Sequence, residues 1–176
     1  GYGFIALGRD RSTDRYLSAI IVQQNMDSWE SSGGELDALE TSIRLARDAS
    51  EASGMKPDLI MFSETTLRRD WDDNRDFYLR YPRPYPLGAL LRELDAPLLA
   101  GAPEILDYES WEATNSVILV GPDARKIQSY AKMHPVPFAE AIPFWEYDAF
   151  RLFMQNTVGL SSGWIMGSQR VLFDLP

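Results

Sequence analysis

The chain has 176 residues, 45% hydrophobic and 24% charged, which suits one folded domain with a substantial core. A formal net charge of −9 argues against the basic face of a general nucleic-acid binder and weakens docking on anionic lipid, so no nucleic-acid partner is expected. With no cysteine and one histidine, the chain supplies no disulfide, thiol nucleophile or imidazole zinc site, and no metal or cofactor is expected.

The opening "GYGFIALGRDRSTDR" is apolar for seven residues and then polar. It lacks the basic start and the length of a signal peptide and does not begin with Met, so it reads as a lead-in whose upstream sequence is missing. No run of about 18 apolar residues occurs, and nothing here spans a bilayer by itself. From Tyr16, "YLSAIIVQQN" predicts a buried strand centred on Ala19–Val22. "GGELDALETSIRLARDASEASG" predicts a helix. Leu36, Leu39, Ile43 and Ala46 recur at helical spacing, acids gather early and Gly54 is a natural stop.

"KPDLIMFSE" predicts a second strand running into Glu64. The polar, aromatic and proline-rich stretch from Thr65 to Pro86 predicts a long surface loop with a helical turn. "PLGALLREL" predicts a short amphipathic helix and "APLLAGAPEI" a third strand. "TNSVILVGPDARKIQSYAK" predicts two antiparallel strands joined at Gly121-Pro122-Asp123. "FWEYDAFRLFMQN" predicts a helix, and "SQRVLFDLP" a last strand. The order β-α-β-α-β-β-(loop)-β implies an α/β layered sheet in which several strands pair with sequence neighbours.

Candidate chemistry collects at two places. Glu64 stands at the carboxyl end of a strand, where ligands gather in α/β sheets; as a plain structural element it caps the following loop. Lys132, His134 and Glu140 fall within "YAKMHPVPFAEAIPF", Tyr130–Phe144, whose three prolines stiffen the backbone. A lysine in an apolar pocket stabilises a developing oxyanion; otherwise Lys132 is an exposed strand-end residue. Glu140 orients that lysine or a substrate amine, or is a surface acid. His134 reads as structural rather than as a general base. The tryptophans fall mostly outside the expected core strands, as binding surfaces do or as residues packed under loops.

A strand ending in Glu, followed by "GAPE" and "TNSVILVGPDARKIQSYAKMHPVPFAEAIP", resembles the nitrilase (carbon–nitrogen hydrolase) superfamily. The form YxKxHxVPFxExxP, with "VQQN" and "SW" earlier, is similar to the apolipoprotein N-acyltransferases within it, and the similarity covers nearly the whole chain. The resemblance implies part of a nitrilase-type α-β-β-α layered sandwich. Residues 1–15 would be a lead-in after a membrane helix and residues 16–176 an incomplete nitrilase-like domain.

The resemblance also implies site roles: Glu64 as general base, Lys132 as oxyanion stabiliser, Glu140 as support for the lysine loop, Trp29 as a lipid-contacting residue and Asn115 as a structural asparagine. Further implied are a phospholipid acyl donor, an apolipoprotein acceptor, attachment to the bacterial inner membrane through helices outside this chain, and a periplasm-facing domain. The family nucleophile is a cysteine following the strand at "RVLFDL", so the expectation is a fragment that is inactive alone. This chain has Ala139 and Pro135 where the family usually has Gly and Leu. Two other readings share the residues: a soluble amidase of the same superfamily, and a binding module that kept the fold and lost the thiol.

Overall fold

The computed structural model describes residues 16–26, 34–110, 112–134, 136, 147, 149, 152 and 164–175. Five strands make one sheet whose spatial order is the chain order: β1 (Ala19–Val22), β2 (Leu59–Phe62), β3 (Leu98–Asp107), β4 (Glu112–Val120) and β5 (Lys126–Ala131). β1, β2 and β3 run parallel, whereas β4 and β5 add as antiparallel hairpin partners. The parallel connections carry helices, as they must to return the chain to the same sheet end. The expected α/β layering is what these elements build.

α1 (Gly34–Ser53) is the next element after β1. It buries Ala38, Leu39, Ser42, Ile43 and Ala46, one stripe at helical spacing, with Glu35 and Asp37 in its first turn. Gly54 ends it at φ 63°, a left-handed conformation that glycine adopts without a Cβ penalty.

The stretch from Thr65 to Pro86 is not the surface loop expected from its polarity. It holds a ten-residue helix, α2 (Trp71–Arg80), and contributes Leu67, Trp71 and Tyr78 to the core. Asp70 is its N-cap, accepting from the backbone N–H of Asp72 (2.8 Å) and Asp73 (3.3 Å), while Asp72 and Asp73 favour the positive helix end. The charged residues that make the segment look like a loop are its cap and its outer face. Trp71 is buried and stacked on Tyr78 with ring centroids 5.2 Å apart, so this tryptophan serves the core and not an exposed surface. α3 (Leu87–Leu94) then buries Leu87, Leu90, Leu91 and Leu94.

One face of the sheet carries the core. Val22, Ile60, Phe62, Leu98, Ala100, Ala102, Ile118 and Val120 pack with the buried helix residues. Register places these residues side by side, as in Ala100 opposite Ile118 and Leu98 opposite Val120. β1 departs from the buried strand expected, because it lies at one end of the sheet order and its burial alternates. Val22 is buried and Ile21 is 74% exposed.

The predicted strand in "SQRVLFDLP" does not form either: residues 168–175 carry no strand. That segment is tied to β5 through a side chain, with Gln128 donating to the Leu172 carbonyl (3.2 Å) and accepting from the Asp174 N–H (2.7 Å). The helix expected over "FWEYDAFRLFMQN" lies largely outside the described residues.

Candidate active site

Glu64 leaves the carboxyl end of β2 on a tight turn. Thr65 has φ 62°, and Thr66, fully buried, donates its hydroxyl to the Ser63 carbonyl (2.8 Å). Ser63 in turn donates its hydroxyl to Gln24 just beyond β1, so the carboxyl ends of two parallel strands are joined beneath the turn. On the other side the turn lies against Gly101 of β3. A Cβ at that position would sit 2.9 Å from both the Glu64 Cα and the Thr65 nitrogen. The Leu67 N–H donates to the Gly101 carbonyl (3.2 Å) and ties the loop down again.

Lys132 arrives from the far side of the sheet, one residue past β5. Its backbone N–H donates to the Asn115 carbonyl (2.8 Å), and its own carbonyl accepts from Gly167 (3.0 Å). Any Cβ on Gly167 would overlap the Ala131 carbonyl, so glycine is what lets residues 164–175 lie against the lysine strand. This arrangement brings together the two residues named from the sequence: the Lys132 Nζ lies 3.4 Å from the Glu64 Oε1. Asn115 donates its side-chain N–H to the same oxygen at 3.0 Å. The carboxylate side chain is 61% exposed and the lysine 30%, so the pair faces an accessible space.

Glu64 and Asn115 line a cavity of about 760 Å³. Leu67, Ala102, Pro103, Ile105, Ala113 and Trp164 form its apolar wall, while Glu64, Asn115, Arg68 and Arg69 add polar groups. Trp164 is brought there by a bridge to Ala113, with the Ile165 N–H donating to the Ala113 carbonyl (2.7 Å). Arg69 grips Glu35 of α1 through two nitrogens at 3.0 and 3.1 Å and lies over the Phe77 ring, 4.3 Å from its centroid. The Glu35 hydrogen bond holds the Arg69 guanidinium above its ordinary pKa. Asp70, also in the wall, accepts from the Ile105 N–H (2.9 Å) as well as capping α2, and so locks the helix to β3.

Of the other sequence candidates, His134, read from the sequence as structural, is exposed. Trp29 and Glu140 lie outside the described residues. The cavity residues from α2 and its lead-in, together with Gly101 and Gly167, were not singled out from the sequence, and Trp164 stood out only as one of the tryptophans outside the expected core strands. A glycine in a strand flanked by apolar residues was the available signal for Gly101.

Chemically, a carboxylate beside an ammonium can accept a proton while the cation steadies negative charge. Among the described residues there is no group of acids and histidines that would hold a metal ion, and no helix is long and apolar enough to cross a membrane.

Comparison with known proteins gives a consistent sequence relationship. The chain is 35% identical over 174 residues to an apolipoprotein N-acyltransferase 2 of Treponema denticola, covering 99% of this chain and 32% of that protein. It is 34% identical over 198 residues to the apolipoprotein N-acyltransferase 2 of Treponema pallidum (99% and 35%), and 28% identical over 141 residues to the apolipoprotein N-acyltransferase of Borreliella burgdorferi (80% and 27%).

Among solved structures, a carbon–nitrogen hydrolase from Helicobacter pylori G27 aligns over 86% of this chain and 45% of its own, at 17% identity and a TM-score of 0.49. An N-terminal amidase aligns over 68% and 28%, at 19% identity and 0.48. No protein-family model matches the chain. The chain spans about a third of the length of the curated relatives it matches. By sequence, over that third, it is similar to the apolipoprotein N-acyltransferases.

Proposed function

We propose that this chain contributes the glutamate and lysine of an N-acyltransferase site, which moves a fatty acyl group from a phospholipid to the N-terminal amine of an apolipoprotein. The nucleophile is a cysteine supplied from outside these 176 residues, since the chain has none. The observation that carries the reading is the approach of Lys132 to Glu64 across the sheet, 3.4 Å between charged atoms, at the edge of an apolar-walled cavity.

In the first half-reaction Glu64 takes the thiol proton and the sulfur attacks the ester carbonyl carbon of the phospholipid. Lys132 steadies the oxyanion that forms. When the tetrahedral intermediate collapses, the lysophospholipid oxygen leaves and takes the proton back from Glu64, and a thioester remains. In the second half the lipoprotein amine attacks that thioester, Glu64 accepts the amine proton, and the cysteine sulfur departs and is reprotonated. The apolar wall suits an acyl chain. Arg68 and Arg69 offer cationic contacts to an anionic headgroup, Arg69 while paired with Glu35. Glu140 supports the lysine loop and Trp29 contacts lipid. The site faces the periplasm from the bacterial inner membrane, held there by helices outside this chain, and no nucleic acid takes part.

Expression of the native gene in a bacterium depleted of its own N-acyltransferase tests the reading. Conversion of diacylated to triacylated lipoprotein is the expected result, read by mass spectrometry of a lipoprotein N-terminal peptide. Hydrolysis of small amides without acyl transfer would replace the reading with an amidase. Loss of both activities, with lipid or peptide still bound, would leave a binding module.

A further inference from the structure

We propose that Asn115 is a positioning residue that sorts the two oxygens of Glu64, committing Oε1 to the lysine side and reserving Oε2 as the proton acceptor. The proton's fate rests on the acyl-transfer reading, whereas the positioning rests on geometry alone.

Glu64 has little to hold its carboxylate. Its side chain is 61% exposed and stands on a turn, and several rotatable bonds separate the carboxylate from the backbone. The ammonium of Lys132, at 3.4 Å, is a compact charge on a flexible stem and imposes little direction. The Asn115 amide is different. It is a neutral, directional donor at 3.0 Å, mounted in the middle of β4 between the buried residues Thr114 and Ser116.

Asn115 also fixes the other partner, because its backbone carbonyl accepts the Lys132 N–H at 2.8 Å. One strand residue therefore sets the acid through its side chain and the lysine through its backbone. Both side-chain donors meet Oε1, and among the described residues Oε2 receives no hydrogen bond. A proton leaving a nucleophile's S–H consequently forms its new O–H bond at Oε2, and the same oxygen returns it to the departing alkoxide. Being neutral, the amide leaves the carboxylate its full charge, which a second lysine there would compensate and an aspartate would oppose.

Three-bond couplings about the Glu64 side-chain torsions, measured by NMR on the isotopically labelled chain, test the positioning without any activity. One rotamer is expected in the parent protein. Averaged couplings are expected in Asn115→Ala and Asn115→Asp, with backbone shifts of β4 and β5 retained. Parent-like couplings in Asn115→Ala would overturn the proposal, since a purely structural asparagine would lower the melting temperature without freeing Glu64.

Should the variants at 115 not fold, Glu64→Gln decides. The Asn115 side-chain amide protons should then shift upfield, and their failure to move would overturn the contact. In the native gene product, Asn115→Ala should lower kcat roughly 100-fold with KM little changed. Rotamer averaging together with a parent enzyme that transfers no acyl group would sink the proton assignment and the acyl-transfer reading but keep the positioning. Acyl transfer with unmoved couplings would do the reverse.

Discussion

Gly101 and Glu64 touch backbone to backbone: a Cβ on the glycine would lie 2.9 Å from the Glu64 Cα and 3.3 Å from its carbonyl carbon. No flexible side-chain end is available to give way, so Gly101→Ala should push the Glu64 turn off β3. The expected loss is about 1–3 kcal/mol of folding free energy. Urea unfolding measures it, and the Leu67 N–H, bonded to the Gly101 carbonyl, should exchange faster with solvent. An unchanged midpoint would mean that the turn is not packed as described.

Removing either charged member of the site separates chemistry from stability. Glu64→Gln and Lys132→Met in the native gene product should each cut acyl transfer by about 10²–10⁴-fold, the range spanned by lost acid–base or oxyanion groups. Both side chains are solvent-accessible, so their ion pair contributes at most about 1 kcal/mol to folding. Circular dichroism melts of the variants should therefore stay within a few degrees of the parent. Residual transfer within a factor of about two for either variant would remove that residue from the mechanism.

Asp70 does two jobs with two oxygens. Oδ1 accepts from the first turn of α2 and Oδ2 from the Ile105 N–H. Asp70→Ala should cost about 2–4 kcal/mol, the sum of a lost N-cap and a β3 N–H left without its partner. Asp70→Asn should recover part of it, because an amide oxygen still accepts on one side. Equal losses for the two variants would show that charge, and not hydrogen-bond geometry, holds the helix.

Alkaline pH should weaken the fold through two tyrosines. Burial is the main cause that pushes the Tyr78 phenol far above its ordinary value of 10.0, and burial followed by the Glu93 hydrogen bond pushes Tyr85 up to about 12. The folded protein keeps protons that the unfolded chain releases. The stabilisation these groups contribute is thus whole below pH 10.0 and is lost as pH rises through the folded values. Phenolate absorbance should show two tyrosines titrating late, and urea midpoints should fall between neutral pH and about pH 11. Tyr78→Phe should flatten that fall. It should also cost about 1–3 kcal/mol at neutral pH, because the hydroxyl bridges the Arg69 N–H (3.0 Å) and carbonyl (3.2 Å). A pH profile unaltered by Tyr78→Phe would count against this origin.

The strands and the outer helices could be read from the chain because period and punctuation agree there. Ala19–Val22 and "LIMF" are short β-branched or apolar runs, Gly54 stops α1, and Gly121-Pro122-Asp123 turns β4 into β5. α2 was missed because its helical signal lies in Asp70, Asp72 and Asp73, residues that also compose loops. Only tertiary packing reveals that Trp71 and Tyr78 point inward. Glu64 and Lys132 were visible as strand-end charges within a family-like motif. The resemblance implied a shared site, but how they meet was not legible, since it depends on sheet order and on two glycines, Gly101 and Gly167, whose lack of a side chain only neighbours can explain.

Because the spatial order of the five strands repeats their order in the chain, each strand can dock on the one synthesised just before it. Growth is vectorial, with no earlier strand waiting for a later one to be inserted beside it, and this favours folding as the chain emerges from the ribosome. Glu64 is presented early, with β2. Lys132 follows 68 residues later, only after β5 has zipped onto β4. A nascent chain stalled anywhere before that point carries the carboxylate without its cation, so closing the last strand pair and charging the site are a single event.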